Sequence, residues 1–162
     1  MKDIKLNFQR VDGTPIPDAL EYVKEWISKH PYGTITIGCD SQPHGRRIKY
    51  AITICMHDVD KYGGGHGAHV IVAIYQNMSP ALKKDLYTKL WAEAELTITA
   101  GEMIKECGKS IAIHLDYNSK ETEYSNVLYN AGLGMVTASG FQAFGKPYAW
   151  ASSHSADKYA KE

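Results

Sequence analysis

The sequence predicts a mixed α/β fold, a five-stranded sheet with helices on its faces and one further helix ahead of it. Two observations predict it. Runs rich in β-branched residues at 34–39, 49–56 and 68–75 follow one another with only loops between them, which reads as a meander of three strands. After them, longer helical patterns alternate with shorter apolar runs, the order of βα units. A chain of 162 residues, 44% hydrophobic, is long enough for one domain with a sizeable core and leaves little room for a second.

The elements follow in order. Leu20, Val23, Trp26 and Ile27 share one face of a helix over 17–30, with Pro17 and Asp18 in its first turn. Pro31-Tyr32-Gly33 ends it, and Thr34–Cys39 is the first strand. Lys49–Met56 and Ala68–Tyr75 are the second and third, separated by a loop holding Gly63, Gly64, Gly65 and Gly67. Ser79 as N-cap and Pro80 at the first helical position open a long helix. Its apolar residues Leu82, Leu86, Leu90, Ala94 and Ile98 step by four towards Cys107-Gly108. Ser110–Leu115 is a fourth strand, apolar enough to be buried on both faces. Residues 118–130 are polar and turn-rich or helical. Gly134–Ser139 and Lys146–Ala151 are weaker strand patterns, and Ser155–Glu162 forms a short last helix. Residues 1–32 are thus a helical extension and 33–162 the core of a single domain.

Composition narrows the function classes. No apolar run approaches the roughly 20 residues that span a bilayer, and the N-terminus alternates charge and apolarity, unlike a signal peptide. Three cysteines without paired spacing, Cys39, Cys55 and Cys107, argue against a disulfide framework and for a reducing, cytoplasmic setting. Formal net charge is zero, so no whole-molecule field draws nucleic acid. The local basic cluster Arg46, Arg47 and Lys49 is where phosphates could be contacted, the alternative being a solvated turn.

The most informative feature is the placement of acids. Asp40 and Asp116 stand where apolar β-type runs stop, while Glu93, Glu95 and Asp157 fall on expected helices. Carboxylates so far apart in sequence can converge in space, and three or four of them are the usual cage for a hard divalent cation such as Mg²⁺. At about 100° per residue, Glu93 stands roughly 60° from the centre of the apolar stripe and Glu95 roughly 140°. Glu93 is therefore the first choice as ligand and Glu95 the second. Each acid also has a plainer reading: Asp40 and Asp116 as turn caps, Asp157 as a first-turn acid favoured by the helix dipole.

The segments Gly38-Cys39-Asp40-Ser41-Gln42, His114-Leu115-Asp116 and Ala156-Asp157-Lys158, in this order among these elements, resemble the ribonuclease H-like superfamily and more narrowly its bacterial YkuK-type branch. The resemblance covers about residues 33–162. It implies phosphodiester hydrolysis with two Mg²⁺ or Mn²⁺ ions and a nucleic acid as partner. It further implies that Asp40 bridges both ions, that Asp116 and the helix glutamate hold one, and that Asp157 holds the other. A histidine near the last acid, here His154, can assist proton transfer or product release in that superfamily.

Other constellations carry less. His66 and His69 lie three apart on a glycine-rich loop without a cysteine nearby, a poor start for a tetrahedral zinc site. Ser152, Ser153, His154 and Asp157 are too close in sequence for a hydrolytic triad, and no Gly-x-Ser-x-Gly elbow occurs. The rival to an enzyme is a module of the same fold that binds nucleic acid or protein without full chemistry, which zero net charge favours.

Overall fold

A computed structural model describes residues 4–77, 86–118, 126–146 and 157–161. Six strands form one sheet: β1 (Phe8–Arg10), β2 (Thr34–His44), β3 (Arg47–Val59), β4 (Gly65–Asn77), β5 (Ile111–Asn118) and β6 (Gln142–Lys146), in the order β1-β4-β3-β2-β5-β6. β1, β4, β3 and β2 pair antiparallel, and β5 and β6 continue the sheet parallel to β2. The helices are α1 (Ala19–Lys29), α2 (Leu86–Ile104, followed by a 3₁₀ turn at Lys105–Cys107), α3 (Asn126–Ala138) and α4 (Asp157–Lys161). The expected opening of the long helix at Ser79-Pro80 lies outside the described residues.

Strand alternation sorts the core. Ile35, Ile37, Cys39 and Ser41 of β2, Ile48 to Met56 at every second position of β3, and Ile111, Ile113 and Leu115 of β5 are all buried on one face. That face joins a single hydrophobic cluster with Val23 of α1, Ala94, Leu96, Ala100 and Ile104 of α2, and Val136 of α3. The opposite face of the central strands is built from Thr36, Gly38 and Asp40 beside Cys55, Thr53 and Ala51. It is smaller and more polar, and α4 packs against β2 and β3 with Ala160 fully buried.

Local chemistry explains the ends. Asp18 caps α1, its carboxylate accepting the Glu21 N–H at 3.2 Å. The β2–β3 hairpin turns through two residues, with Gly45 at φ 63 in the first central position, as a type II′ turn requires.

Two expectations change. The sheet has six strands rather than five, because β1 is only three residues long, too short to show a period. Gly134–Ser139 is the end of α3 and not a strand. Its helix stops in a Schellman motif: Phe141 N–H bonds Val136 O at 3.3 Å, and Gly140 N–H bonds Thr137 O at 3.0 Å with Gly140 at φ 92. A strand follows immediately as β6, and residues 147–151 of the strand expected over 146–151 lie outside the described residues.

The β3–β4 connection is clipped by Asp60. Its Oδ1 accepts the N–H groups of Tyr62 and Gly64, each at 2.9 Å, and its Oδ2 meets His66 Nε2 at 2.8 Å. The hydrogen bond to Asp60, aided by its charge, raises the His66 pKa above the usual 6.5. A raised folded value means the contact stabilises fully below pH 6.5 and is lost as pH rises through that higher value. An NMR titration is expected to show His66 titrating above an ordinary histidine, and Asp60→Asn is expected to bring it back down. An unchanged midpoint in the variant would contradict the clip.

Candidate functional site

β2 is the strand on which the site is built. β3 pairs with its whole length, from Thr34↔His57 to His44↔Arg47, while the parallel register with β5 runs from Ile35↔Ile111 to Gly38↔His114. Two residues beyond that last pair, the chain carries Asp40 on β2 and Asp116 on β5. The crevice outside the carboxyl ends of parallel strands is where open α/β sheets bind ligands. The backbone therefore carries two of the four expected acids to neighbouring strands at that crevice. The carboxylate of Asp116 lies outside the described residues.

A third acid arrives on α2. Glu93 is only 2% exposed and Asp40 7%, and ionisable groups are seldom buried so deeply without partners. Ser41, fully buried, donates its hydroxyl to Glu93 Oε1 at 2.5 Å. This contact ties the helix to β2 one residue beyond Asp40. Burial pushes the Cys39 thiol well above its ordinary pKa, and the charges of Glu93 and Asp40 add to the effect while Lys89 opposes it. Glu93 thus lies against the Ser41 and Cys39 face of β2, whereas Asp40, one residue along the strand, points to the opposite face.

Glu93 sits inside the buried face of α2 rather than near its edge. Residues four apart advance about 40° beyond a full turn, so the part of the stripe within the described helix, Leu86 to Ile98, winds about 120° round it. The buried set is Glu93, Thr97, Ala100 and Ile104, with Ala94 and Leu96, whereas Ile98 is only half-buried. Glu95 is half-buried and lines a separate cavity with Tyr50 and Trp91.

The remaining expected residues divide as follows. Asp157 begins α4, which packs on β2 and β3; its carboxylate, and all of His154, lie outside the described residues. Arg46 is in the β2–β3 turn, and Arg47 and Lys49 open β3. Arg47 pairs with His44 and Lys49 with Gln42 in register, and Ala51 pairs with Asp40. Paired residues share a face, so Arg47 and Lys49 lie on the Asp40 face, towards the hairpin tip. Arg47 Nη1 also bonds Gln76 Oε1 at 3.0 Å. His66 and His69 go to different partners, Asp60 and the Tyr22 hydroxyl at 2.6 Å, so they do not act together.

Buried His114 stands opposite Gly38, its ring edge-on to Phe144 at 5.4 Å. Burial, with His57 adding, lowers its pKa to about 4, so it is neutral at pH 7.

Carboxylate oxygens are the donors that hard divalent cations take. Among the described residues, no three His, Cys, Asp or Glu side chains come together as a complete cage.

Sequence reasoning missed Ser41 as a partner for Glu93. The signal was available: on a strand, Ser41 must face the side opposite Asp40, the side that carries Ile35, Ile37 and Cys39 and hence the helices. Removing its hydroxyl leaves a buried carboxylate oxygen short of a donor. Ser41→Ala is expected to lower stability by about 1–3 kcal/mol, measured by urea unfolding, and Glu93→Gln in the same background is expected to recover part of the loss. A Ser41→Ala variant as stable as wild type would contradict the contact.

A family model described as ribonuclease H-like matches residues 18–161. No curated protein gives a significant match, and neither does any solved structure. The match takes in α1 as well as the five strands β2 to β6 and every acid discussed above, and the observed sheet has the mixed order that the sequence resemblance implied. The chain belongs to the ribonuclease H-like family.

Proposed function

We propose that this chain is a metal-dependent nuclease that hydrolyses phosphodiester bonds in RNA, an RNA–DNA hybrid or a structured nucleic acid. What supports this reading is that two carboxylates are buried against the stretch of β2 just past its pairing with β5, Asp40 on the strand itself and Glu93 bonded to Ser41. A binding module gains nothing from charge buried beside phosphates, since it would only repel them. Family membership supports the same reading, and the donor set supports Mg²⁺ or Mn²⁺. Asp40, Glu93, Asp116 and Asp157 are the residues proposed to hold the ions, which supply charge stabilisation at the attacking and leaving oxygens of the phosphoryl group.

The protein's own part is positioning. β3 pairing fixes the Asp40 backbone on both sides of the residue, and Ser41 holds the Glu93 carboxylate in one orientation. Arg46, Arg47 and Lys49 then offer cations along the same face, where a phosphate backbone leaving the site would run. Three buried thiols, Cys39, Cys55 and Cys107, support a reducing compartment such as the cytoplasm.

With Mn²⁺ or Mg²⁺, purified protein is expected to cleave at least one labelled RNA, hybrid or branched DNA, and Asp40→Asn and Asp116→Asn are each expected to abolish cleavage. If both variants retained wild-type rates, the assignment would be wrong. Glu93→Gln should cost far more activity than Glu95→Gln, and the reverse ranking would move the ligand to Glu95.

Replacing Arg46, Arg47 and Lys49 together by Ala tests the phosphate track. If all three contact phosphates of a duplex, the slope of log affinity against log salt falls by about 2–3. An unchanged slope returns them to a solvated turn.

A further inference from the structure

A groove of about 650 Å³ between β1 and α1, beside Arg10 and Tyr22, is open, and it lies at the sheet edge three strands away from β2. A smaller cavity is better placed. It measures about 200 Å³ and opens between α2 and the ends of β3 and β4, walled by Tyr50, Tyr75, Trp91 and Leu96 with Glu95 and Asn77 at its rim. Tyr50 is fully buried, yet among the described residues its hydroxyl has no hydrogen-bond partner. Buried polar atoms are almost always bonded, so an unbonded hydroxyl on a residue that lines a cavity calls for an explanation, and a ligand seated in that cavity supplies one.

We propose that this cavity receives one unstacked nucleobase, its polar edge read by the Tyr50 hydroxyl and the Glu95 carboxylate. The proposal rests on the nucleic-acid reading above. Size argues for a single ring system: the space is several times the roughly 30 Å³ share of one water and below the roughly 300–1,000 Å³ of drug-sized sites. Wall chemistry argues for a flat, aromatic ligand, since bases stack on tyrosine and tryptophan irrespective of sequence. Tyr75, Trp91 and Glu95 are each half-exposed, so the cavity has a mouth through which a base can enter.

Polar chemistry narrows the base. A carboxylate only accepts hydrogen bonds, so the edge facing Glu95 must donate. Guanine offers two adjacent N–H donors on its Watson–Crick edge, a match for both oxygens of one carboxylate, and uracil offers one. The Tyr50 hydroxyl can then donate to a ring acceptor. Position links the cavity to the candidate site. Tyr50 pairs in register with Ser41, which holds Glu93, and the charge of Glu93 reaches the Tyr50 phenol, adding to the burial that raises its pKa. A base held here would fix the strand one β-strand away from Ser41.

The test is binding in excess EDTA, where no cleavage can occur. Calorimetry would compare GMP and UMP, and a guanine-containing tetranucleotide with its counterpart abasic at the guanine. The wild type is expected to bind the intact tetranucleotide at least fivefold tighter than the abasic one. Tyr50→Phe and Glu95→Gln are each expected to shrink that advantage, and Glu95→Gln to erase the preference for GMP over UMP. Tyr50→Phe removes one buried, unbonded oxygen, so its fold should be as stable as wild type by urea unfolding. Binding of GMP alone with the same dependence on both residues identifies a free nucleotide as the ligand, whereas dependence seen only with the tetranucleotide identifies a base within a strand. An advantage of the same size in wild type and both variants overturns the proposal, and so does no advantage at all. Either result leaves Mn²⁺-dependent cleavage to be judged separately, and a base advantage without cleavage sinks the nuclease reading alone.

Discussion

The site depends on β2 being paired along both edges over its first half and along one edge over its second. From Ile35 to Gly38 it is locked between β3 and β5; from Asp40 onward the observed register is with β3 only. The first half gives rigidity and the second opens a crevice, and Asp40 stands at the change. A strand paired with β5 throughout would close the crevice beside that carboxylate. A strand paired on neither side would not hold it still. The antiparallel hairpin to β3 is what reconciles the two, because it continues for all of β2 and fixes the acid's backbone where β5 no longer does.

The second constraint is α2, whose buried face carries a carboxylate among apolar residues. Placing Glu93 beside Ala94, Leu96 and Thr97 costs free energy, and the Ser41 hydroxyl offsets part of it by meeting the charge with a hydrogen bond. The contact also sets the rotation and height of the helix on the sheet, since a shift of one residue would swing the carboxylate by about 100°. Stability and site geometry are therefore coupled through one short contact, and Cys39 and Tyr50, both buried next to it, feel the resulting charge.

How far the sequence could be read follows from the kinds of interaction involved. β2, β3 and β4 were legible because each is long and rich in Ile, Val and Thr, and α1 because Asp18 and its apolar face agree. Asp40 and Asp116 were expected at strand ends, but β2 runs on to His44 and β5 to Asn118; what stops just before them is the β2–β5 register at Gly38↔His114. β1 was not legible: three residues have no period, and pairing with β4 alone makes them a strand. The end of α3 was misread because Val136 and Thr137 resemble a strand locally, whereas its Schellman stop at Gly140 and Phe141 is decided by two backbone bonds. The placement of Glu93 was approached from a stripe that itself winds round the helix, so its expected offset of roughly 60° from the buried face was too large. Ser41 and the unbonded Tyr50 hydroxyl are tertiary facts, visible only once β2, β3 and α2 are assembled.

The central proposal is that Asp40 and Glu93, with Asp116 and Asp157, hold one cation site, and the most direct measurement of it needs no substrate. Like charges held together without a cation repel and destabilise the fold, and an ion bound to the native state alone stabilises it by RT ln(1 + [M]/Kd). For roughly millimolar affinity and about 10 mM Mn²⁺ this is about 1.4 kcal/mol, or about 3–6 °C in Tm. Asp40→Asn removes both the repulsion and a ligand. With ionic strength matched by monovalent salt, wild type should gain several degrees from Mn²⁺, while the variant should melt higher than wild type without metal and gain little from adding it. A wild-type Tm indifferent to Mn²⁺, or an Asp40→Asn variant that still gains several degrees, would contradict the account.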